Sequence, residues 1–164
     1  MRVDRIVWSL AGAAVVLAAI ASTLGPIGGD QTCFAYAAWR LLQGDRPGIE
    51  LWELKPPLHV YYYAAFFRMF GSTEFALLAG DVFIQLLGMS LFAWGAARQG
   101  AARLGMTTAV TYGLLYFFVI PHADHGEVEA LANGLTLSGC GMLLLLRCSS
   151  VAYAIAGCLF GMTF

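Results

Sequence analysis

Charge is what this chain has least of. Asp, Glu, Lys and Arg together make up 12% of its 164 residues, about half the share of a soluble domain, and Lys55 is the sole lysine. So little charge beside 60% hydrophobic residues and a mean hydropathy of +0.73 excludes a water-solvated globule and implies a membrane protein. The four cysteines contain no C-x-x-C pair; Cys140, Cys148 and Cys158 lie in or beside apolar segments, and Cys33 alone is external. A disulfide framework is thereby excluded. Cys140, Cys148 and Cys158 read as small apolar packing residues. Internal repeats, low-complexity tracts and linkers are missing too.

What remains is apolar. Five segments are nearly free of charge: 6–26, 75–97 (interrupted by Asp81), 104–121, 130–146 and 151–164. Crossing hydrocarbon takes about 20 apolar residues, which the first four approach within their ends. The fifth reaches Phe164 without a charged flank, so the chain is expected to be the N-terminal part of a longer protein. Arg2 and Arg5 precede the first segment as they would in a signal peptide, but the apolar run is too long and Gly25-Pro26-Ile27 is a poor cleavage site. An uncleaved span is the better reading. Placing the N-terminus in the cytoplasm puts Arg2, Arg5, Arg98, Arg103 and Arg147 at cytoplasmic helix ends. The short connector from Arg98 to Arg103 decides this, because the positive-inside bias is strongest in short loops. Asp30, Asp45, Glu50, Glu53, Asp124, Glu127 and Glu129 then fall outside, an acidic face unsuited to nucleic acid.

Residues 27–74 form the first external loop. Asp30 stands at the position expected of an N-cap, and Phe34, Ala37, Ala38, Leu41 and Leu42 recur at helical spacing behind it. This short amphipathic helix is expected to lie along the membrane interface. Pro56 and Pro57 can open a helix but not continue one. The run from Leu58 to Phe70, with three consecutive tyrosines, predicts a second helix at headgroup level. Ser72 or Thr73 before Glu74 resembles a helix start for the next span.

Five places carry candidate chemistry, each with a plainer alternative. Asp30 is a helix cap, a general base placed to take a proton from a hydroxyl, or both. Lys55 is a snorkelling anchor or a cation available to a phosphate. The stretch from His122 to Glu129 reads as a solvated polar loop, while Glu127-x-Glu129 also offers oxygens to a hard divalent cation. Glu127 enters the following helix near the bilayer surface, where a free carboxylate is costly. Asp81 sits near the outer end of its span, where a hydrogen-bonded structural role is expected; Arg68 could pair with it or with a lipid phosphate.

Asp30-Gln31, Ala38-x-x-Leu41-Leu42-x-Gly44, Trp52-x-x-Lys55-Pro56-Pro57-Leu58, Phe70-Gly71 and the turn Gly126-Glu127-Val128 together resemble the polyprenyl-phosphate-sugar-dependent glycosyltransferases. That family includes the dolichyl-phosphate-mannose–protein mannosyltransferases and the lipid A arabinosyl and galacturonosyl transferases. The resemblance implies an all-α, polytopic transmembrane protein of GT-C type in the cytoplasmic (inner) membrane, with its active site on the external, periplasmic side. It implies a sugar moved with inversion from a polyprenyl phosphate to a lipid, glycan or protein hydroxyl. Asp30 would serve as base, Glu127 would assist at the sugar or a cation, and Lys55 and Arg68 would hold the lipid phosphate. The chemistry requires no particular cofactor; a divalent cation, Mg or Mn, at Glu127 and Glu129 is an optional addition. Cys33 departs from the arginine that arabinose-transferring relatives tend to carry three residues after the acid. The relatives are several times longer, so activity is expected of the longer protein. The rival class is a non-enzymatic membrane protein, either a transporter subunit or a lipid-binding scaffold, in which Asp30 only caps and Lys55 only anchors.

Overall fold

The computed structural model describes residues 2–51, 57–147 and 149–162. Among these the chain is helical: α1 (Arg2–Ser22), α2 (Gly29–Leu42), α3 (Leu58–Phe70), α4 (Glu74–Arg98), α5 (Ala102–Leu114), α6 (Val128–Leu145) and α7 (Ser150–Gly161). The one β feature among the described residues is an isolated bridge between Pro47 and Leu51. Two helices, α4 and α6, are long and apolar enough to cross a membrane. With 25 residues, α4 runs about 37 Å at 1.5 Å per residue, against about 30 Å of hydrocarbon. The apolar parts of α1 (Ile6–Ser22) and α7 are shorter. The expected span at 104–121 is not one regular helix either: α5 passes into a π-helical turn over Leu115–Val119.

Helices α4 and α6 pack along a seam of small residues. A Cβ added at Gly88 would lie 2.8 Å from the Gly134 carbonyl oxygen, and one at Gly95 would lie 2.7 Å from that of Gly141. Where lipid is as apolar as the side chains, close backbone approach of this kind is a main source of helix association. Helix α5 approaches α1 in the same way through Gly113, whose missing Cβ would meet Val15 at 2.6 Å.

The helices share two ends of opposite character. At one, Gln99 donates to the Leu144 carbonyl at 2.6 Å, placing the Arg98–Arg103 connector beside Arg147. At the other lie the end of α1, the start of α2, the corner between α3 and α4 and the loop before α6. Asp30, Glu74, Asp124, Glu127 and Glu129 all belong to this second end. The short helices α2 and α3 cover it through Ala38, Tyr63, Ala64 and Phe67, which pack on Ala76, Leu77 and Leu78 of α4. Thr73 caps α4, accepting from the Ala76 amide at 3.2 Å, as the Ser-Thr-Glu spacing predicts.

Candidate functional site

The acidic end is built upward from Gln31. Asp30 is not the N-cap of α2: Gly28 holds that position, and the Gln31 side chain closes the first turn by accepting from the Gly28 amide at 2.9 Å. Asp30 stands in the first turn with its carboxylate exposed, where the helix dipole favours negative charge. The amide end of Gln31, fully buried, donates to the His122 carbonyl at 2.8 Å and to the His125 carbonyl. One side chain therefore ties the turn that carries Asp30 to the loop that leads into Glu127. Glu127 is half-buried at the N-cap of α6, and Glu129 is exposed one turn edge further on.

Ala123, Asp124 and Glu129 of that loop are exposed, as its polar composition predicts, but its middle, His125 and Gly126, is packed. His125 is 2% exposed, stacks on Tyr116 with ring centroids 4.8 Å apart, and donates from Nε2 to the Tyr116 carbonyl at 3.1 Å. His122 reaches the Ser22 carbonyl at the end of α1, at 2.9 Å. The π-helical turn accounts for the first contact. An i→i+5 turn leaves a carbonyl outside the regular ladder, free to accept from elsewhere. Gly126 then passes over α4 with φ +74°, and a Cβ there would fall 2.6 Å from Leu77. A glycine is needed on both counts.

Beneath this loop lies Asp81, 1% exposed. The Tyr116 hydroxyl donates to its two carboxylate oxygens at 2.7 and 2.9 Å, and Gln85 donates at 3.3 Å. Gln85 also donates to the Ala130 carbonyl at 2.8 Å and accepts from the Tyr112 hydroxyl at 2.7 Å. The structural role expected of Asp81 is thus observed. Of the two partners open to Arg68, Asp81 is not the one: Arg68 is exposed in the last turn of α3, on the outside of the cover that buries Asp81. Tyr63 completes the cluster. It is fully buried, and its hydroxyl has no hydrogen-bond partner among the described residues. Burial pushes this phenol well above its ordinary value, with the neighbouring Asp81, Tyr62 and Glu127 acting in the same direction.

Asp30 and Glu127 therefore share one end of the molecule and are linked through Gln31, with Arg68 on the same side. Lys55 lies outside the described residues, as do Trp52 and Pro56 of its motif. Among the described residues no group of three or more His, Cys, Asp or Glu could hold a metal ion, so Glu127 and Glu129 do not gather a full ligand set there. Cys33, Cys140 and Cys158 are unpaired thiols. Gln31, Tyr63, Gln85 and Tyr116 were not singled out by residue type or spacing; the signal available in the sequence was a glutamine directly after the acid, and polar residues at 81 and 85 one helical turn apart. No protein-family model, curated protein or solved structure matches this chain.

Proposed function

We propose that this chain is part of a membrane glycosyltransferase that moves a sugar from a polyprenyl phosphate to an acceptor hydroxyl at the external face of the membrane. Asp30 takes the proton from the acceptor hydroxyl. The oxygen attacks the anomeric carbon, and the bond from that carbon to the phosphate oxygen breaks, leaving the electron pair on the lipid phosphate and inverting the centre. Lys55 and Arg68 are the cations that compensate the leaving phosphate, and Glu127 faces the sugar or a bound divalent cation. The basic end, carrying Arg98, Arg103 and Arg147, faces the cytoplasm under the positive-inside rule.

The observation that carries this reading is the Gln31 link. An exposed carboxylate in a helix first turn is commonplace. One clamped through its neighbour to a loop more than ninety residues away, and through that loop to a second carboxylate at a helix start, is an arrangement that holds two acids in a fixed relation. The experiment is Asp30→Asn in the full-length protein. Membrane insertion and thermal stability are expected to be retained, and transfer from a radiolabelled polyprenyl-phosphate sugar is expected to fall by at least about a hundredfold, the lower range for losing a general base. Near-normal transfer would remove Asp30 from the mechanism.

A further inference from the structure

A groove of ≈ 320 Å³ opens between α2 and the corner joining α3 to α4, a volume at the small end of ligand sites. One wall is the Thr32, Ala35, Tyr36 and Trp39 face of α2, at i, i+3, i+4 and i+7. Facing it are Ser72, Thr73 and Glu74, and buried Phe67 lines it as well. Tyr36 and Trp39 are 53% and 42% exposed, with ring centroids 5.9 Å apart and planes 38° from parallel. Tyr36 is held in place. Arg40 donates to the Tyr36 hydroxyl at 2.8 Å and lies 5.7 Å from its ring centroid, while Asp45 holds the guanidinium from the other side.

We propose that this groove binds a pyranose ring of a glycan. A pyranose has an apolar face of C–H groups and a rim of hydroxyls, and the groove offers the complement to both. The two rings supply flat apolar surface at low entropic cost. The hydroxyls of Thr32 and Ser72 can donate or accept, and the Glu74 carboxylate accepts from two adjacent sugar hydroxyls. Acyl chains fit poorly, because a carboxylate among them is costly. An ammonium headgroup would compete for the same rings and carboxylate, and the phosphocholine comparator below separates it from a sugar. The role of the bound ring, holding a glycan acceptor for transfer, rests on the glycosyltransferase reading. The binding itself does not, since Asp30, two residues before Thr32, projects from the far side of α2.

The test is saturation-transfer NMR on the full chain carrying Asp30→Asn, in nanodiscs, with disaccharides of mannose, galactose, glucose and N-acetylglucosamine as probes and phosphocholine as comparator. Saturating the aromatic resonances should transfer signal to the sugar C–H protons of at least one disaccharide. Trp39→Ala should weaken that binding about tenfold, Trp39→Phe should retain most of it, and Glu74→Gln should weaken it several-fold. Tyr61→Ala, at an exposed ring outside the groove, should change nothing. Absence of binding by every disaccharide, binding that survives Trp39→Ala, or binding of phosphocholine in place of the sugars would each overturn the proposal. None of those outcomes bears on Asp30 as the base, and an active Asp30→Asn protein would leave the groove assignment standing.

Discussion

Replacing Gln31 by alanine tests the link on which the acidic end depends. The side chain makes three hydrogen bonds, one to the Gly28 amide and two to the carbonyls of His122 and His125. Losing one costs about 1 kcal/mol net, or about 1–3 kcal/mol instead where a carbonyl is left buried without a partner. His125 is buried with its loop, whereas His122 keeps some contact with solvent, so one orphaned carbonyl is the fair count. Gln31→Ala should therefore destabilise by about 3–5 kcal/mol, read from reversible SDS unfolding followed by circular dichroism. Gln31→Glu sharpens the prediction. It keeps the acceptor for Gly28 but turns a donor into a carboxylate facing two carbonyl oxygens, and should be at least as damaging as alanine. On the proposed glycosyltransferase reading, both variants should also lower kcat for sugar transfer in the full-length protein with little effect on KM for the donor, because Gln31 would act by positioning Asp30. An alanine variant within about 0.5 kcal/mol of the parent, the scatter expected of a neutral surface change, would refute the link as a structural element.

Three further outcomes follow from the packing and the electrostatics. Gly88→Leu must push α4 and α6 apart, because even a Cβ falls 2.8 Å from the Gly134 carbonyl; a loss of more than about 2 kcal/mol is expected in the same unfolding assay, at the upper part of the overpacking range. Tyr116→Phe removes both hydroxyl contacts to the buried Asp81 carboxylate and should cost about 2–3 kcal/mol, with Tyr116→Phe/Asp81→Leu recovering part of the loss as the under-satisfied carboxylate disappears. Glu50 is held below its ordinary 4.5 by the hydrogen bonds from the Arg46 side chain and amide. A depressed carboxyl contributes order above its unfolded value and loses it as pH falls through the folded one, so amide protection factors at Gly48 and Leu51 should fall below about pH 4.5, and Glu50→Gln should reproduce that loss of protection at neutral pH.

Hydropathy and capping chemistry are local properties, and where they governed, the sequence was sufficient. The apolar runs at 75–97 and 130–146 became α4 (Glu74–Arg98) and α6 (Val128–Leu145), the amphipathic stripe from Phe34 to Leu42 became α2, and Thr73 caps the helix its spacing announces. Asp81 could be assigned a hydrogen-bonded role because an acid inside an apolar helix has few other affordable states. Its partners could not. Tyr116 and Gln85 share its cluster because a π-helical turn and the glycine seam bring α5, α4 and α6 together, and Arg68 is excluded from it because α3 turns that residue outward. The burial of His125 and Gly126 within the loop at 122–129 was hidden for the same reason: composition registers how polar a segment is, not whether a glutamine ninety residues earlier will bind its carbonyls. Periodicity thus determined which segments are helices and which end of each is charged, since both depend on neighbours within a few turns. Which polar groups meet beneath the acidic end was decided by tertiary packing alone, because a buried donor takes whichever acceptor the assembled helices bring within about 3 Å.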